Sequence, residues 1–527
     1  MAVGNARAAF NRFATASSLA LALLAPGVGQ AGAARASSPK APRPPNIVLI
    51  LADDLGHNDI SLNGNPLVRT PNIDSIAHDG VRFATGYSGD AICAPSRAAL
   101  ITGRNPERFG FEYLPYEANF AKNVRALTPG GTSGAKAELF DADAPSAVQN
   151  GLPLSETTLP QLLKSRGYAT GMFGKWHLGT APQLNPVNRG FDEFIGVKGG
   201  VAMHANPNDP TVVSFHIPWS GNDKNLWLHV DHRIVNGLGK PYEAPGYMSD
   251  VYANEAVRFI HKNKAKPFFL YLPFDEPHMP LQAPKKYYDQ LAYIPDEKTR
   301  VYYAMIEALD HSVGTVLKEL KAEGLDKNTL VIFTSDNGGS PFPRIPMMNL
   351  PYRGWKITYF EGGVNVPYFM RWPGHIRADS TVTGIVSQLD IFPTAAALAG
   401  ASLPAGKVFD GQNLMPILSG GDASSLRDRE LVWRKEDYLS IRKGDYKLQV
   451  SALPKMTWLF DLARDPTERI NLASAMPAKV AELRAALDER VKGYVKPAWS
   501  PQGRVRVDID GVPQDESIPR EYIMWTN

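Results

Sequence analysis

Asn46-Ile47-Val48-Leu49-Ile50-Leu51-Ala52-Asp53-Asp54 decides the fold. From Ile47 to Leu51 no polar residue falls at either parity, so both faces of a strand here need cover. That is the condition of a strand inside a parallel sheet. Two acids close the run abruptly. Working outward, short apolar runs recur at Ala169 to Phe173, Pro267 to Leu272 (PFFLYL), Leu330 to Thr334 (LVIFT) and Val366 to Met370. Helical patterns separate them. Thr70 reads as an N-cap with Pro71 in the first turn. Thr158 and Gln161 have the spacing of a capping box for a helix to Ser165. Met305, Leu309, Val313, Val316, Leu317 and Leu320 form one stripe of a long amphipathic helix. Strands alternating with helices predict an α/β domain, a large, mostly parallel mixed β-sheet flanked by helices.

Past about residue 425 the pattern changes. Glu430 to Trp433, Tyr438 to Arg442, Tyr446 to Val450 and Thr457 to Leu462 read as short antiparallel strands, with a turn at Lys443-Gly444-Asp445. Pro477 to Val495 reads as a helix. The expected division is residues 1–36 as signal peptide, 37–45 as a Pro-rich linker, 46–424 as the large α/β domain, and 425–527 as a small C-terminal α+β subdomain with its tail. Two stretches, 113–150 and 197–246, are loop-rich. The second holds His204, His216, Trp219, Trp227, His229 and His232, and plain insertion and substrate recognition are even readings of it.

The 527 residues balance 56 Lys and Arg against 53 Asp and Glu, a net charge of +3. That excludes nucleic-acid binding by bulk charge and leaves room for a local anion pocket. Arg7 and Arg12 precede the apolar stretch Ser18 to Leu24. Ala31-Gly32-Ala33 or Ala34-Arg35-Ala36 supplies a small-residue cleavage site. The apolar stretch is far below the ~20 residues that cross a bilayer. The expectation is an exported protein without a transmembrane anchor, in a bacterial periplasm or secreted; the single cysteine is compatible with this.

In open α/β sheets ligands bind beyond the carboxyl ends of the strands. Asp53 and Asp54 follow the first run, and Asp336 and Asn337 follow LVIFT. Lys175 and His177 follow the strand ending near Phe173, and His278 follows PFFLYL. Asp53, Asp54, Asp336 and Asn337 are hard oxygen donors suited to Ca²⁺ or Mg²⁺. Each alone is an ordinary turn residue; their shared position makes a metal site the better reading. His57, after Asp53-Asp54-Leu55-Gly56, is a candidate for the site's entrance.

The only cysteine, Cys93, begins Cys93-Ala94-Pro95-Ser96-Arg97-Ala98-Ala99-Leu100-Ile101-Thr102-Gly103-Arg104. It has no disulfide partner within the chain, and a lone Cys is commonly a small buried hydrophobe. Its surroundings reverse that reading. The pattern C-x-P-S-R-x-x-x-x-T-G-R resembles the signature of the type I, formylglycine-dependent sulfatases, an alkaline-phosphatase-like family. Arg166-Gly167-Tyr168-Ala169-Thr170 with Gly174-Lys175-Trp176-His177-Leu178-Gly179 resembles the second signature. Lys356-Ile357-Thr358-Tyr359-Phe360-Glu361-Gly362-Gly363 and the stretch from Asp461 to Ala473 are similar to further family motifs. One departure is Asn365, where the family commonly has Arg, expected to lie outside the immediate site.

The resemblance implies a sulfuric ester hydrolase. Cys93 is implied to become formylglycine (3-oxoalanine) through a formylglycine-generating enzyme, its aldehyde hydrate being the nucleophile. Asp53, Asp54, Asp336 and Asn337, with residue 93, are implied to hold one Ca²⁺. Arg97, Lys175 and Lys356 supply cations, with Lys175, His278 and Lys356 binding substrate. Asp336 is implied to assist the attack, His278 to protonate the leaving oxygen and His177 to help expel sulfate. Residues 95–102 should form a helix whose N-terminus faces Cys93. A sulfated carbohydrate or aryl sulfate is the expected substrate. A phosphatase or phosphodiesterase of the same superfamily, and a noncatalytic sulfated-glycan-binding protein, are the alternatives.

Overall fold

A computed structural model describes residues 43–116, 138–140, 143–217, 227, 230, 232–510 and 521–527. The expected signal peptide, most of the Pro-rich linker, Trp219 and His229 lie outside the described residues.

A ten-stranded sheet organises the chain. Its strands are β1 (Asn46–Ala52), β2 (Val81–Tyr87), β3 (Ala169–Lys175), β4 (Glu193–Val197), β5 (Arg233–Asn236), β6 (Tyr242–Glu243), β7 (Phe268–Pro273), β8 (Thr329–Ser335), β9 (Tyr368–Arg371) and β10 (Ser380–Ser387). In space the order is β10-β2-β9-β8-β1-β7-β3-β4-β5-β6. The centre, β8-β1-β7-β3-β4, is parallel. The run at Val366 to Met370 proves to be β9, and it pairs antiparallel with both β8 and β2.

Burial explains why β1 is apolar at both parities. Val48, Ile50 and Ala52 enter one core with α1 (Pro71–His78), α4 (Met248–Asn263) and α5 (Glu297–Ala322). Ile47, Leu49 and Leu51 enter the other, with α2 (Cys93–Thr102), α3 (Leu159–Ser165) and α6 (Ile391–Leu398). The expected stripe of α5 is buried against the first core, with Leu317 at its margin. Burying each such Leu or Val stabilises the fold by ~1.5–3 kcal/mol.

Helix ends follow the sequence at α3, where the Thr158–Gln161 capping box forms. They depart from it at α1. Thr70 occupies the cap position, but its hydroxyl accepts from Ser61 N and donates to Asp74. The first-turn N–H groups of Asn72 and Ile73 instead donate to Oδ1 of Asp310, on α5, at 3.0 and 2.8 Å. α2 starts at Cys93, two residues earlier than expected, so Cys93 is itself the first helical residue.

The C-terminal strands β11 (Glu430–Lys435), β12 (Tyr438–Lys443), β13 (Tyr446–Ser451) and β14 (Met456–Asp461) form an antiparallel meander. Gly444 turns β12 into β13 at φ 56°, the left-handed region that glycine adopts without strain. Helix α7 (Pro477–Val491), four residues shorter at its C-terminus than expected, covers one face through Leu483 and Leu487. The opposite face puts Trp433, Tyr438, Trp458 and Phe460 against Tyr87, Ile92, Tyr359 and Phe360. Residues 43–527 thereby form one compact unit.

Candidate active site

Parallel register builds the site. Ala52 pairs with Ser335, so Asp53 and Asp336 leave β1 and β8 side by side. Asp54 and Asn337 follow. Lys175 ends β3, and His278 lies on the loop after β7. Cys93 comes from the start of α2, where all ten residues are buried. Lys356 arrives on the loop before Glu361.

These side chains meet. Cys93 Sγ lies 3.5 Å from Asp53 Oδ1 and 3.7 Å from Asp54 Oδ1. Lys175 Nζ donates to Asp53 Oδ2 at 2.5 Å, and Lys356 Nζ reaches Asp54 Oδ1 at 2.7 Å. His278 Nε2 is 3.7 Å from Asp54 Oδ2, while its Nδ1 is 2.6 Å from the Met279 carbonyl oxygen. Asn337 Nδ2 donates to Asp54 Oδ1 at 2.8 Å. Arg97 stands behind the carboxylates. Its Nε and Nη2 contact Asp336 Oδ2 at 2.9 and 2.8 Å, Nη2 is 3.5 Å from Asp53, and Nη1 donates to the Lys175 carbonyl. His177 is buried and has no hydrogen-bond partner at Nδ1 among the described residues.

The backbone is strained where these groups are presented. Asp54, His177 and Ile357, the residue after Lys356, have φ of 63°, 58° and 84°. Left-handed non-glycine residues cost of order 1–3 kcal/mol and persist only where surroundings enforce them. Electrostatics sort the roles. Burial pushes the Cys93 thiol well above its ordinary value, Lys356 and Lys175 notwithstanding, so an unmodified thiol stays neutral and poorly nucleophilic. Burial, with the charges of Lys175 and Arg97, holds His177 well below the usual imidazole range, so the ring is neutral. Burial also lowers His278 to about 4 against the opposing pull of Asp53 and Asp54. Despite its own burial, Asp53 is held well below the usual carboxylate range by Lys175, His278 and Arg97.

The donor set fits a hard divalent cation. Ligand atoms of Asp53, Asp54, Cys93 and His278 all lie within 4.8 Å of one another. Asn337 Oδ1 is buried and has no hydrogen-bond partner among the described residues, the free carbonyl oxygen such an ion takes. Asp336 is turned differently from its carboxylate neighbours, with Oδ2 on Arg97 and Oδ1 accepting from Asp54 N at 3.2 Å. Three carboxylates face Arg97, Lys175 and Lys356, so a divalent ion would leave the pocket cationic towards an anionic ester.

Of the other sequence candidates, His57 is half-buried and packs edge-on against Tyr352, with ring centroids 4.6 Å apart. Asn365 donates to Glu361 Oε2 at 2.9 Å. Sequence reasoning missed the network around Glu361. Lys447 Nζ, from β13, contacts Glu361 at 2.8 Å and Glu468 at 3.1 Å, with every carboxylate and the amine buried. It also missed His204 as a contact of the His278 loop, Nε2 lying 2.8 Å from the His278 carbonyl oxygen.

The model of the Sulfatase family matches residues 45–401, and that of the N-sulphoglucosamine sulphohydrolase C-terminal region matches residues 354–496. N-acetylgalactosamine-6-sulfatase of Mus musculus is 35% identical over 420 residues, covering 77% of this chain and 72% of the relative. Steryl-sulfatase of Mus musculus is 32% identical, covering 92% and 85%. Among solved structures, Ps i-CgsB in complex with k-i-k-neocarrahexaose superposes with a TM-score of 0.72 at 30% identity, covering 87% of this chain and 95% of that one. These matches assign the chain to the sulfatase family, and it is a sulfuric ester hydrolase.

Proposed function

We propose that the protein is an exported sulfatase that cleaves sulfate esters of a carbohydrate, using formylglycine made from Cys93 and one bound Ca²⁺. The single observation that carries this reading is the convergence of Asp53, Asp54, Lys175, His278 and Lys356 on Cys93 beside the unpartnered Oδ1 of Asn337. The sugar ester is favoured by the relatives, whose names include an N-acetylgalactosamine-6-sulfatase and a neocarrahexaose complex. Residues 46–424 would form the catalytic domain and 425–527 the C-terminal subdomain, after the signal peptide at 1–36 and the linker at 37–45.

Asp53, Asp54, Asp336 and Asn337, with residue 93, would hold the cation. When bound, it supplies Lewis-acid stabilisation of charge on the sulfuryl oxygens. Lys175 and Lys356 bind the same oxygens, with Arg97 adding charge from behind. A hydroxyl of the modified residue 93 acts as nucleophile, with Asp336 assisting. His278 gives its proton to the leaving oxygen; an anionic ester beside the ring favours its protonated form. His177, neutral in its buried setting, removes the proton whose loss lets sulfate depart. The net change is ester plus water to alcohol plus hydrogen sulfate.

The test is peptide mass spectrometry of the active protein with turnover of paired esters. Position 93 should carry an aldehyde in place of the thiol, and sulfated saccharides should be cleaved in preference to matched phosphate esters. Full activity with unmodified Cys93, or faster phosphate turnover, would refute the reading.

A further inference from the structure

We propose that one segment, residues 198–205, positions both histidines of the site, Gly200 seating His177 and His204 seating His278. This rests on the reading just given, in which the two rings serve opposite ends of the reaction.

Parallel pairing of β3 with β4 ends at Lys175 and Val197. The hydrogen bonding continues, with Trp176 N donating to the Val197 carbonyl at 2.9 Å and His177 N to the Lys198 carbonyl at 3.3 Å. The chain beyond β4 therefore runs alongside His177. At Gly200 it touches the ring: a Cβ there would lie 2.4 Å from His177 Nε2 and 2.6 Å from Cε1. A side chain there would have to push the imidazole aside, so the bare Cα is a wall for the ring. Gly199, the preceding residue, would meet nothing within 4 Å. Because His177 Nδ1 has no partner among the described residues, packing must fix this ring.

Four residues on, His204 is buried and anchored on several sides. Its N–H donates to Gln282 Oε1 at 2.9 Å, and its carbonyl accepts from Met248 N at 2.8 Å. The ring stacks on Tyr247 with centroids 5.9 Å apart. Nε2 lies 2.8 Å from the His278 carbonyl oxygen. A carbonyl only accepts, so Nε2 carries the proton and donates. The His278 loop is thus held between His204 and the bond from Asp53 N to the Glu276 carbonyl, at 3.0 Å. Gly200 and His204 are positioning residues: each acts through the proposed proton carrier it touches.

The test uses the full matured chain. Gly199→Ala should behave as wild type. Gly200→Ala should keep its thermal midpoint and its kcat/KM while kcat and KM fall together by at least tenfold, since only breakdown of the sulfated residue is slowed; tenfold is the scale of a small misplacement of a catalytic group. It should release alcohol in a burst, leave added sulfate mass on the peptide carrying residue 93, as His177→Ala should on the reading above, and show a displaced His177 ring in a crystal structure. His204→Ala should slow alkyl sulfates at least tenfold more than p-nitrophenyl sulfate, because a poor leaving group needs the His278 proton. His204→Gln, whose amide can donate to the same carbonyl, should recover most of that loss. If Gly200→Ala matches Gly199→Ala, or His204→Ala slows all esters equally, while His177→Ala still accumulates the added mass, the positioning proposal is wrong and the underlying reading stands. If His177→Ala itself accumulates nothing, the underlying reading falls and takes the proposal with it.

Discussion

Replacing Lys447 by Met should destabilise the whole protein through a buried ion network far from the reacting centre in sequence. Lys447 is fully buried, and its ammonium sits between Glu361 and Glu468 at 2.8 and 3.1 Å. Glu361 also accepts from the Tyr87 hydroxyl and from Asn365. Burial already raises Glu468 to about 7 against the pull of Lys447. Removing the cation leaves two carboxylates enclosed without their main counter-charge, a change that costs ~3–5 kcal/mol. Unfolding entropy of roughly 2.1 cal/mol/K per residue, over residues 43–527, is about 1 kcal/mol/K, so the midpoint should fall by ~3–5 °C. Differential scanning calorimetry reads this directly. The loss should be the same at low and high salt, since enclosed charges are little screened. Adding Glu468→Gln to Lys447→Met should restore at least half of it. Glu361 lies in the motif that begins at Lys356, so kcat should drop several-fold as well. A midpoint within 1 °C of wild type, or a double variant no better than Lys447→Met alone, would refute the reasoning.

Asp310 gives a pH-dependent effect: burial, assisted by the Asp74 charge, raises it to about 6 although Asn72 and Ile73 donate to it. A raised carboxyl contributes stability that is complete below about pH 4 and lost as pH climbs through about 6, roughly 3 kcal/mol in all; Asp310→Asn should flatten the melting temperature across that window. His278→Ala should slow esters of alkyl alcohols by ~10²–10⁴-fold and p-nitrophenyl sulfate far less; equal loss across leaving groups would reject the acid role. Asn337→Ala should lower bound calcium, measured by plasma emission on the dialysed protein, with little change in melting temperature of the chelated form; unchanged calcium would show that its free Oδ1 serves another purpose.

The centre of the sheet was legible because strands covered on both faces carry an unbroken apolar run in their middle, as β1, β7 and β8 do, with polar residues only towards the ends of β1 and β8. β2 and β10 were not, because their outer positions stay partly exposed and admit Arg82, Thr85 and Thr383. Helix α4 was passed over although Met248, Tyr252, Ala256, Phe259 and Ile260 give a helical stripe; Tyr247 at its start offers no side-chain cap. At the site, acids directly after strands could be read because parallel register brings strand ends together whatever the chain separation. Contacts such as Asp310 with Asn72, 238 residues apart, or Lys447 with Glu361, 86 apart, depend on how elements pack. No local pattern announces them. Arg97 was visible as a cation, but its place behind Asp336 followed only from the direction in which α2 presents it.

The ten buried residues of α2 have a consequence in time. Cys93 opens a helix enclosed by the sheet, the Lys356 loop and the carboxylates, so an enzyme arriving after folding finds neither an extended substrate nor a reachable sulfur. Conversion of residue 93, as proposed, therefore belongs to the interval between synthesis and closure of the core. A chain that closes first keeps its thiol for as long as it stays folded. The active fraction of a preparation is then a fossil of the conditions in which it was made: maturation capacity and rate of synthesis are recorded in it, and later treatment of the folded protein cannot rewrite that record.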